Sequence, residues 1–328
     1  MLLFFVVLIY HESVWRGKKM IIQSGSRTDI PAFYSEWFAN RLKEGYVYVR
    51  NPFNMTYITK YDLNPAVVDL ICFCSKNPKP MLEHLELLKP YGTYWYVTIT
   101  GFGRDIEPNV PDSMEVVETF KRLSEFAGVD SMGWRYDPIF LDEKYTRDYH
   151  LEQFDKIARA LDGYTETAVI SFIDLYQKVK KNFPEAKVVE KEDRLYLGEH
   201  MVQIAKEHGM VLRPCGEGTE LERFGADCSG CMTQPIYEKA IHNTMVFPKG
   251  KGARASCACY LGGDIGMYNT CLHMCRYCYA NYDAKTVLDN HANHDPHSPL
   301  LIGNVRPEDE IHKAEQKSWI DGQLKLIW

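Results

Sequence analysis

Leu70-Ile-Cys-Phe-Cys-Ser75-Lys-Asn-Pro78 sets the pattern of the chain. A short apolar run ends in a cation, Asn-Pro comes next, and the amphipathic segment Lys79–Lys89 leads to the next apolar run, Tyr94-Trp-Tyr-Val-Thr-Ile-Thr100. A short apolar run between turn residues reads as a buried strand, and a longer run at helical spacing reads as a covering helix. The alternation continues in both directions. Strands are predicted at Met20–Ser24, Tyr46–Arg50, Leu70–Ser75, Tyr94–Thr100, Ser131–Tyr136, Ala168–Phe172 and Met210–Pro214. Helices are predicted at Pro31–Glu44, Lys79–Lys89, Ser113–Ala127, Thr146–Leu161, Leu175–Asn182 and Arg194–His208. Such alternation means βαβ units around a parallel sheet. The expected class is α/β: a (β/α) barrel, complete or incomplete, with a doubly wound open sheet as the alternative. Residues 20–214 would build it. Residues 215–328 would form a cysteine-rich segment ending in a helix over Glu310–Ile327.

The strand ends share one logic. Arg27-Thr-Asp-Ile-Pro31, Arg50-Asn-Pro52, Lys76-Asn-Pro78 and Arg135-Tyr-Asp-Pro138 each give a cation, then Asn or Asp, then Pro. The plain account is helix capping, with Asn or Asp as cap and Pro in the first turn. In a parallel barrel, however, all strand C-termini lie on one rim, where active sites sit. Arg27, Arg50, Lys76 and Arg135 would then converge and suit a phosphate or carboxylate. Arg27 with Asp29, and Arg135 with Asp137, are two apart and would share a strand face as local ion pairs. Asp174, after Ser171-Phe-Ile173, is either an acid–base group at another strand end or a helix cap.

Composition sets bounds. The 328 residues are 45% hydrophobic and 25% charged, as in an ordinary globular protein with ample core. The net charge of −6 argues against a broad nucleic-acid footprint, which needs a basic face, but leaves room for a small basic pocket. Residues 1–10 are apolar, yet too few to span a bilayer, which takes about 20. They lack the basic start and cleavage site of a signal peptide. The expectation is a cytoplasmic protein with no membrane span and no disulfide scaffold. Arg16-Gly-Lys-Lys19 fits translation of a purine-rich ribosome-binding stretch ahead of Met20, so residues 1–19 read as a mis-called start; a membrane-surface anchor is the alternative.

Ten cysteines are many for such a chain. Three stand in Cys271-Leu-His-Met-Cys275-Arg-Tyr-Cys278-Tyr-Ala-Asn281. Zinc modules usually present two pairs of thiols and fill four positions. Three thiols in eight residues instead suit a cubane iron–sulfur cluster, one thiolate per iron, with the fourth iron open to a non-protein ligand. The competing account is zinc completed by His273, Cys257 or Cys259. A second group, Cys215, Cys228, Cys231, Cys257 and Cys259, would supply an auxiliary cluster or zinc site, or else idle buried thiols. Cys72 and Cys74 alternate within an apolar strand and read as core. His291, His294 and His297 lie among Asp295-Pro296 and Ser298-Pro299, which break any helix, so they read as a solvated loop.

The CxxxCxxC spacing, with an aromatic before the last Cys, resembles the radical S-adenosylmethionine (SAM) enzymes, and Cys-Arg-Tyr-Cys-Tyr-Ala-Asn is similar to the branch that includes spore photoproduct lyase. The resemblance implies a [4Fe-4S] cluster on Cys271, Cys275 and Cys278, SAM on the open iron, and reductive cleavage of SAM to a radical that abstracts hydrogen. It also implies an electron donor such as a flavodoxin or ferredoxin. The substrate is expected to be a small anionic molecule or a nucleotide; nucleic acid itself stays open. The nearest matches to a glycine-rich SAM-binding strand end are Gly216-Glu217 and Gly262-Gly263. In that superfamily the cysteine loop comes after the first barrel strand. Here it lies in the last fifth of the chain, so either the order is circularly permuted or an appended segment folds over the barrel mouth.

A wider resemblance covers nearly everything from Met20 onward. Ser26-Arg-Thr-Asp-Ile-Pro31, Val49-Arg-Asn-Pro-Phe53, Ser75-Lys-Asn-Pro78, Trp134-Arg-Tyr-Asp-Pro138 and Asp264-Ile-Gly-Met-Tyr-Asn-Thr-Cys271 resemble the landmarks of the DUF1848 proteins, whose members usually begin near Met20. That family brings no reaction. Three functions therefore stand side by side: a radical SAM enzyme, a zinc or electron-transfer iron–sulfur module without SAM chemistry, and a barrel hydrolase or lyase with structural cysteines.

Overall fold

The computed structural model describes residues 21–247 and 259–321. The expectations for residues 1–19, for Cys257 and for the end of the last helix fall outside them. The strands, in chain order, are β1 (Ile21–Ser24), β2 (Tyr46–Asn51), β3 (Asn54–Asp62), β4 (Leu70–Ser75), β5 (Gly92–Thr98), β6 (Met132–Ile139), β7 (Thr167–Phe172), β8 (Val211–Pro214), β9 (Gly263–Asp264) and β10 (Glu310–Lys313). Seven of them form one parallel sheet, ordered β8-β7-β6-β5-β4-β1-β9.

The helices are α1 (Ile30–Phe33), α2 (Ser35–Glu44), α3 (Ser113–Ala127), α4 (Arg147–Leu161), α5 (Gln177–Asn182), α6 (Lys191–Glu207), α7 (Gln234–Ile241) and α8 (Ala284–Ala292). Lys79–Leu88 is a 3₁₀ segment rather than the α-helix its spacing predicts, and Pro80 near its start removes one donor of an α ladder.

The period of two along each strand sorts the core into two faces. Ile22, Ile71, Phe73, Trp95, Val97, Trp134, Ala168, Ile170 and Leu212 pack with Phe120 of α3, Phe154 of α4 and Met201 of α6. Phe73 and Trp95, paired in register across β4 and β5, stack at 3.8 Å. Such a contact contributes about 1 kcal/mol beyond its buried area. The alternate residues Ile21, Leu70, Cys72, Tyr94, Tyr96 and Val169 pack instead with Cys231, Met232, Tyr237 of α7 and Cys259. From β1 through β4 to β8 each strand is added on the same side of its predecessor. Right-handed crossovers stepping one way keep their helices on one face, whereas a doubly wound sheet needs a reversal in this run.

The sheet is open, bounded by β8 and β9, so a closed barrel is not what forms. After β8 the chain passes through Gly216, Gly218, Gly225 and Gly230, all at positive φ, which favours turns over a further strand. It still covers the second face: Asp227 N–H donates to Leu212 C=O, and Tyr260 N–H to Met232 C=O, at 2.9 and 2.8 Å.

Two further expectations are corrected. Tyr46–Arg50 does not enter the parallel sheet; β2 pairs antiparallel with β3 in a separate three-stranded sheet ordered β10-β3-β2. The reason is local: Asn51 Oδ1 accepts from Phe53 N–H at 2.8 Å and closes a hairpin instead of capping a helix. Glu310–Lys313, predicted to be helical, runs beside β3 as β10. His291 also departs from expectation, because α8 reaches Ala292 before the prolines intervene, and His294 is half-buried with Nδ1 2.7 Å from Leu301 C=O.

Among the described residues, no helix is long and apolar enough to cross a membrane.

Candidate metal centre

The cysteine triplet comes after β9 and lies over the ends of the parallel strands. Backbone and side-chain bonds tie it there. Tyr34 Oη donates to Thr270 C=O at 2.7 Å, Asn109 Nδ2 to Leu272 C=O at 2.8 Å, and Arg276 N–H to Ile106 C=O at 3.0 Å. Tyr279 Oη reaches Ser26 C=O at 2.6 Å, and Asn281 Nδ2 closes the loop on Cys271 C=O at 2.7 Å. Met274, between the first two thiols, has φ +56°, a conformation that costs a side-chain-bearing residue about 1 kcal/mol. Strain of this kind gathers at functional sites.

Burial pushes all three thiols up. For Cys271 the charges of Cys278, Asp29 and Cys275 add to burial; for Cys275, Glu107 adds and Lys76 opposes. For Cys278 the N–H groups of Ala280 and Asn281 oppose burial, with Lys178 and Lys76 behind them. Ala280 N–H lies 3.3 Å from Cys278 Sγ. The three sulfurs thus feel one another, and cations flank them.

Two carboxylates anchor the surroundings. Asp29 caps α1 by accepting from Ala32 N–H at 3.1 Å, while its Oδ2 accepts from Lys76 N–H at 2.7 Å and meets His273 Nε2 at 2.9 Å. Glu107 accepts from Thr100 Oγ1 and Lys76 Nζ at 2.9 and 2.8 Å, and from Tyr277 Oη. Burial alone would lower the Lys76 ammonium, but Glu107 and then Cys275 outweigh it and the net direction is up.

The expected rim residues divide. Asp29 and Lys76 lie beside the triplet, against His273 and Cys275, whereas Arg135 reaches toward Cys231, its Nη1 3.7 Å from Sγ. Arg135 Nε lies 3.1 Å from Asp137 Oδ2, the local pair expected of that spacing. Arg27 and Asp29 do not pair, because β1 ends at Ser24 and both sit beyond it; Arg27 Nε is 3.9 Å from Asp264 Oδ1 instead. Arg50 is elsewhere, bound to Asp309 Oδ2 at 2.7 Å on the small sheet. Asp174 is exposed beside Tyr176, whose Oη donates to it at 3.0 Å. Asn77 caps no helix; its N–H donates to Ser75 Oγ.

The second cysteine group also divides. Cys231 Sγ lies 3.6 Å from both Cys215 Sγ and Cys259 Sγ, while Cys228 packs with the helix-side core. The two glycine pairs have structural roles. A Cβ on Gly262 would fall 2.0 Å from Ile21 C=O, so strand pairing itself demands glycine there. Glu217 accepts from Phe172 N–H at 2.9 Å and finishes β7.

Glu107 and the Asp29–His273 contact were not foreseen, since no local pattern marks them. Asp264, by contrast, stands in the Asp264-Ile-Gly motif and accepts from Ser26 N–H at 3.0 Å.

A family model described as "Domain of unknown function (DUF1848)" matches residues 21–280. No curated protein matches the chain.

Proposed function

The chain belongs to the DUF1848 family, and on that premise we propose that it is a [4Fe-4S]-dependent enzyme of the radical SAM type, with Cys271, Cys275 and Cys278 as cluster ligands. One observation carries the reading: three thiols of one loop, Cys275 buried and Cys271 and Cys278 half-buried, lie over strand ends, with Lys76 and Lys178 beside them. Thiolates on separate irons of a cubane need not converge on one point, as the ligands of a single ion must. Of the donors invoked for zinc, His273 and Cys259 are engaged elsewhere. Both ring nitrogens of His273 have partners, Asp29 Oδ2 at 2.9 Å and Asn109 C=O at 3.3 Å, and Cys259 lies against Cys231.

Strand order adds support. β9 is late in the chain but lies beside β1 at the sheet edge. The cysteine loop therefore leaves the first strand of the row in space, as a circularly permuted, incomplete radical SAM barrel requires.

When bound, the cluster would supply the electron that cleaves SAM. The chain's own residues do the rest. Lys76 and Lys178 offset the thiolate charge. Asp29 fixes His273 and the loop around it. Arg27 and Lys178 are loosely committed cations, the latter 3.3 Å from Ala280 C=O, and suit a carboxylate or phosphate of SAM or substrate. Gln23 Oε1, Thr28 Oγ1 and Asn281 Oδ1 are buried without a hydrogen-bond partner among the described residues, as expected of groups awaiting a polar ligand. The substrate we favour is accordingly small and anionic, nucleotides included, with a flavodoxin or ferredoxin as donor.

Anaerobic reconstitution followed by iron and sulfide analysis, then SAM with reductant, tests this. Cluster-dependent 5′-deoxyadenosine supports it. A full zinc complement without sulfide, or turnover that survives Cys271→Ala in folded protein, overturns it.

A further inference from the structure

We propose that Arg27, Lys178 and Tyr279 form the substrate subsite, and that it takes a nucleoside monophosphate, the phosphate on the two cations and the base against the tyrosine ring. This rests on the cluster reading and names the substrate class of the same site. Segments far apart in sequence meet there. Arg27 follows β1, Tyr268 follows β9, Tyr176 immediately precedes α5, Lys178 lies within α5, and Tyr279 comes directly after Cys278. Tyr268 links two of these segments: the Arg27 guanidinium carbon lies 5.5 Å from its ring centroid and Lys178 Nζ 4.8 Å. Tyr279 Oη donates to the C=O of Ser26, the residue before Arg27, at 2.6 Å, and its ring centroid is 6.1 Å from that of Tyr176.

Both cations keep donors for an anion. The carboxylate nearest Arg27 is taken up by backbone: Asp264 Oδ2 accepts from Ser26 N–H at 3.0 Å and Oδ1 from Gly266 N–H at 2.8 Å. Arg27 Nε stays 3.9 Å from Asp264 Oδ1, beyond hydrogen-bond range, and among the described residues no Arg27 donor makes a hydrogen bond. Lys178 gives one long bond, 3.3 Å to Ala280 C=O, out of three possible. Next to Arg27, the Thr28 side chain is 4% exposed, and its Oγ1 has no hydrogen-bond partner among the described residues. A buried hydroxyl is rarely left unpaired, and a phosphate oxygen would complete this one. The corner is closely built: a Cβ on Gly266 would lie 3.1 Å from both Thr28 Cγ2 and Asp264 Oδ1. A loop pressed this tightly holds Arg27 and Thr28 in place before a ligand arrives.

The aromatic surface selects among phosphates. Tyr279 and Tyr176 are 48% and 42% exposed, beside the cations rather than in the core. A sugar phosphate has no use for such rings, whereas a base stacks on them, and with little choice among bases because each has a π face. Guanidinium and ammonium groups hold the phosphate. The net charge of −6 speaks against a long polyanion. Two uncommitted cations and one accessible ring next to the triplet match a single nucleotide.

Isothermal titration calorimetry on the full chain, reconstituted anaerobically, tests this. Uridine 5′-monophosphate is the probe, because its base is not that of SAM. It should bind at least about tenfold more tightly than uridine and than ribose 5-phosphate, since the phosphate contacts and the stacked base each contribute about that factor. Saturating SAM should not displace it. Arg27→Gln should weaken the nucleotide to the level of uridine, and Tyr279→Ala to the level of ribose 5-phosphate; Tyr279→Phe keeps the ring and should keep the affinity. Wild-type protein that binds none of the three, or binds the nucleotide no better than uridine or ribose 5-phosphate, overturns the proposal without any variant. Displacement by SAM also overturns it, because the cations then belong to SAM. Binding is read without turnover. A chain that takes the nucleotide but holds no cluster breaks the cluster reading alone, and one that cleaves SAM but rejects the nucleotide breaks this proposal alone.

Discussion

Asp29 Oδ2 meets His273 Nε2 at 2.9 Å, with both side chains almost wholly buried, and so joins the turn after the first strand to the middle of the cysteine triplet across 244 residues of sequence. The same oxygen accepts Lys76 N–H, which fixes the start of the 3₁₀ segment after β4. One carboxylate thus sets the height of the loop above two strand ends.

Asp29→Asn should destabilise the protein by about 2 kcal/mol, because the amide presents a donor where donors already point. Urea denaturation reads the loss. Iron bound per chain after reconstitution should fall with it. A variant with wild-type stability and wild-type iron would refute the positioning role.

Each of Cys271→Ser, Cys275→Ser and Cys278→Ser should abolish SAM cleavage and reduce bound iron well below the roughly four per chain of a full cluster. Cys228→Ser, which touches neither thiol group, should retain both. Iron assay and 5′-deoxyadenosine quantification decide.

Glu107 and Lys76 form a buried pair at 2.8 Å. Glu107→Gln leaves the ammonium without its carboxylate and should cost about 3–5 kcal/mol. Adding Lys76→Met should recover much of that, since the stranded charge is gone. A double-mutant cycle with no coupling would show that the pair is not what holds these side chains.

Burial holds His150 down to about 4, against an ordinary 6.5. Its ring is neutral in the fold, with Nε2–H donating to Phe140 C=O at 2.8 Å and Nδ1 accepting from Tyr136 Oη at 2.9 Å. The unfolded chain therefore takes up the proton first. The contribution is complete above pH 6.5 and is lost as pH falls toward 4, a decline of about 3 kcal/mol. Unfolding midpoints between pH 7 and 4.5 should drop less steeply in His150→Gln than in the wild type.

Gly262→Ala should displace β9, because the added methyl meets Ile21 C=O at 2.0 Å, a backbone atom that cannot swing aside. The expected result is faster proteolysis after β8 together with loss of iron binding, although no ligand is touched.

Much of the parallel sheet is legible in the sequence, because buried strands written as Leu-Ile-Cys-Phe-Cys or Tyr-Trp-Tyr-Val have few other readings. β3 escapes the pattern although Met55-Thr-Tyr-Ile-Thr-Lys-Tyr61 is rich in β-branched and aromatic residues; the preceding Asn-Pro-Phe-Asn turn reads as a helix start, which also sends Arg50 to the wrong rim. Cation-Asn-Pro signs a turn, and the segment beyond the proline decides between hairpin and crossover. The triplet thiols are visible from spacing alone. Glu107 and His273 owe their positions to long-range contacts, with Tyr277 and with Asp29, and nothing in their immediate sequence encodes such partners.

The short pairing of Ile22 with Gly263 has a consequence for how the protein is made. At synthesis rates of about 5–20 residues per second, some 240 residues separate these two strands by roughly 12–48 seconds on the ribosome. Through that interval the nascent sheet carries a bare edge at β1, and the sulfur-bearing loop does not yet exist. A cluster on that loop can be installed only once the loop has been made, into a scaffold whose parallel strands already exist.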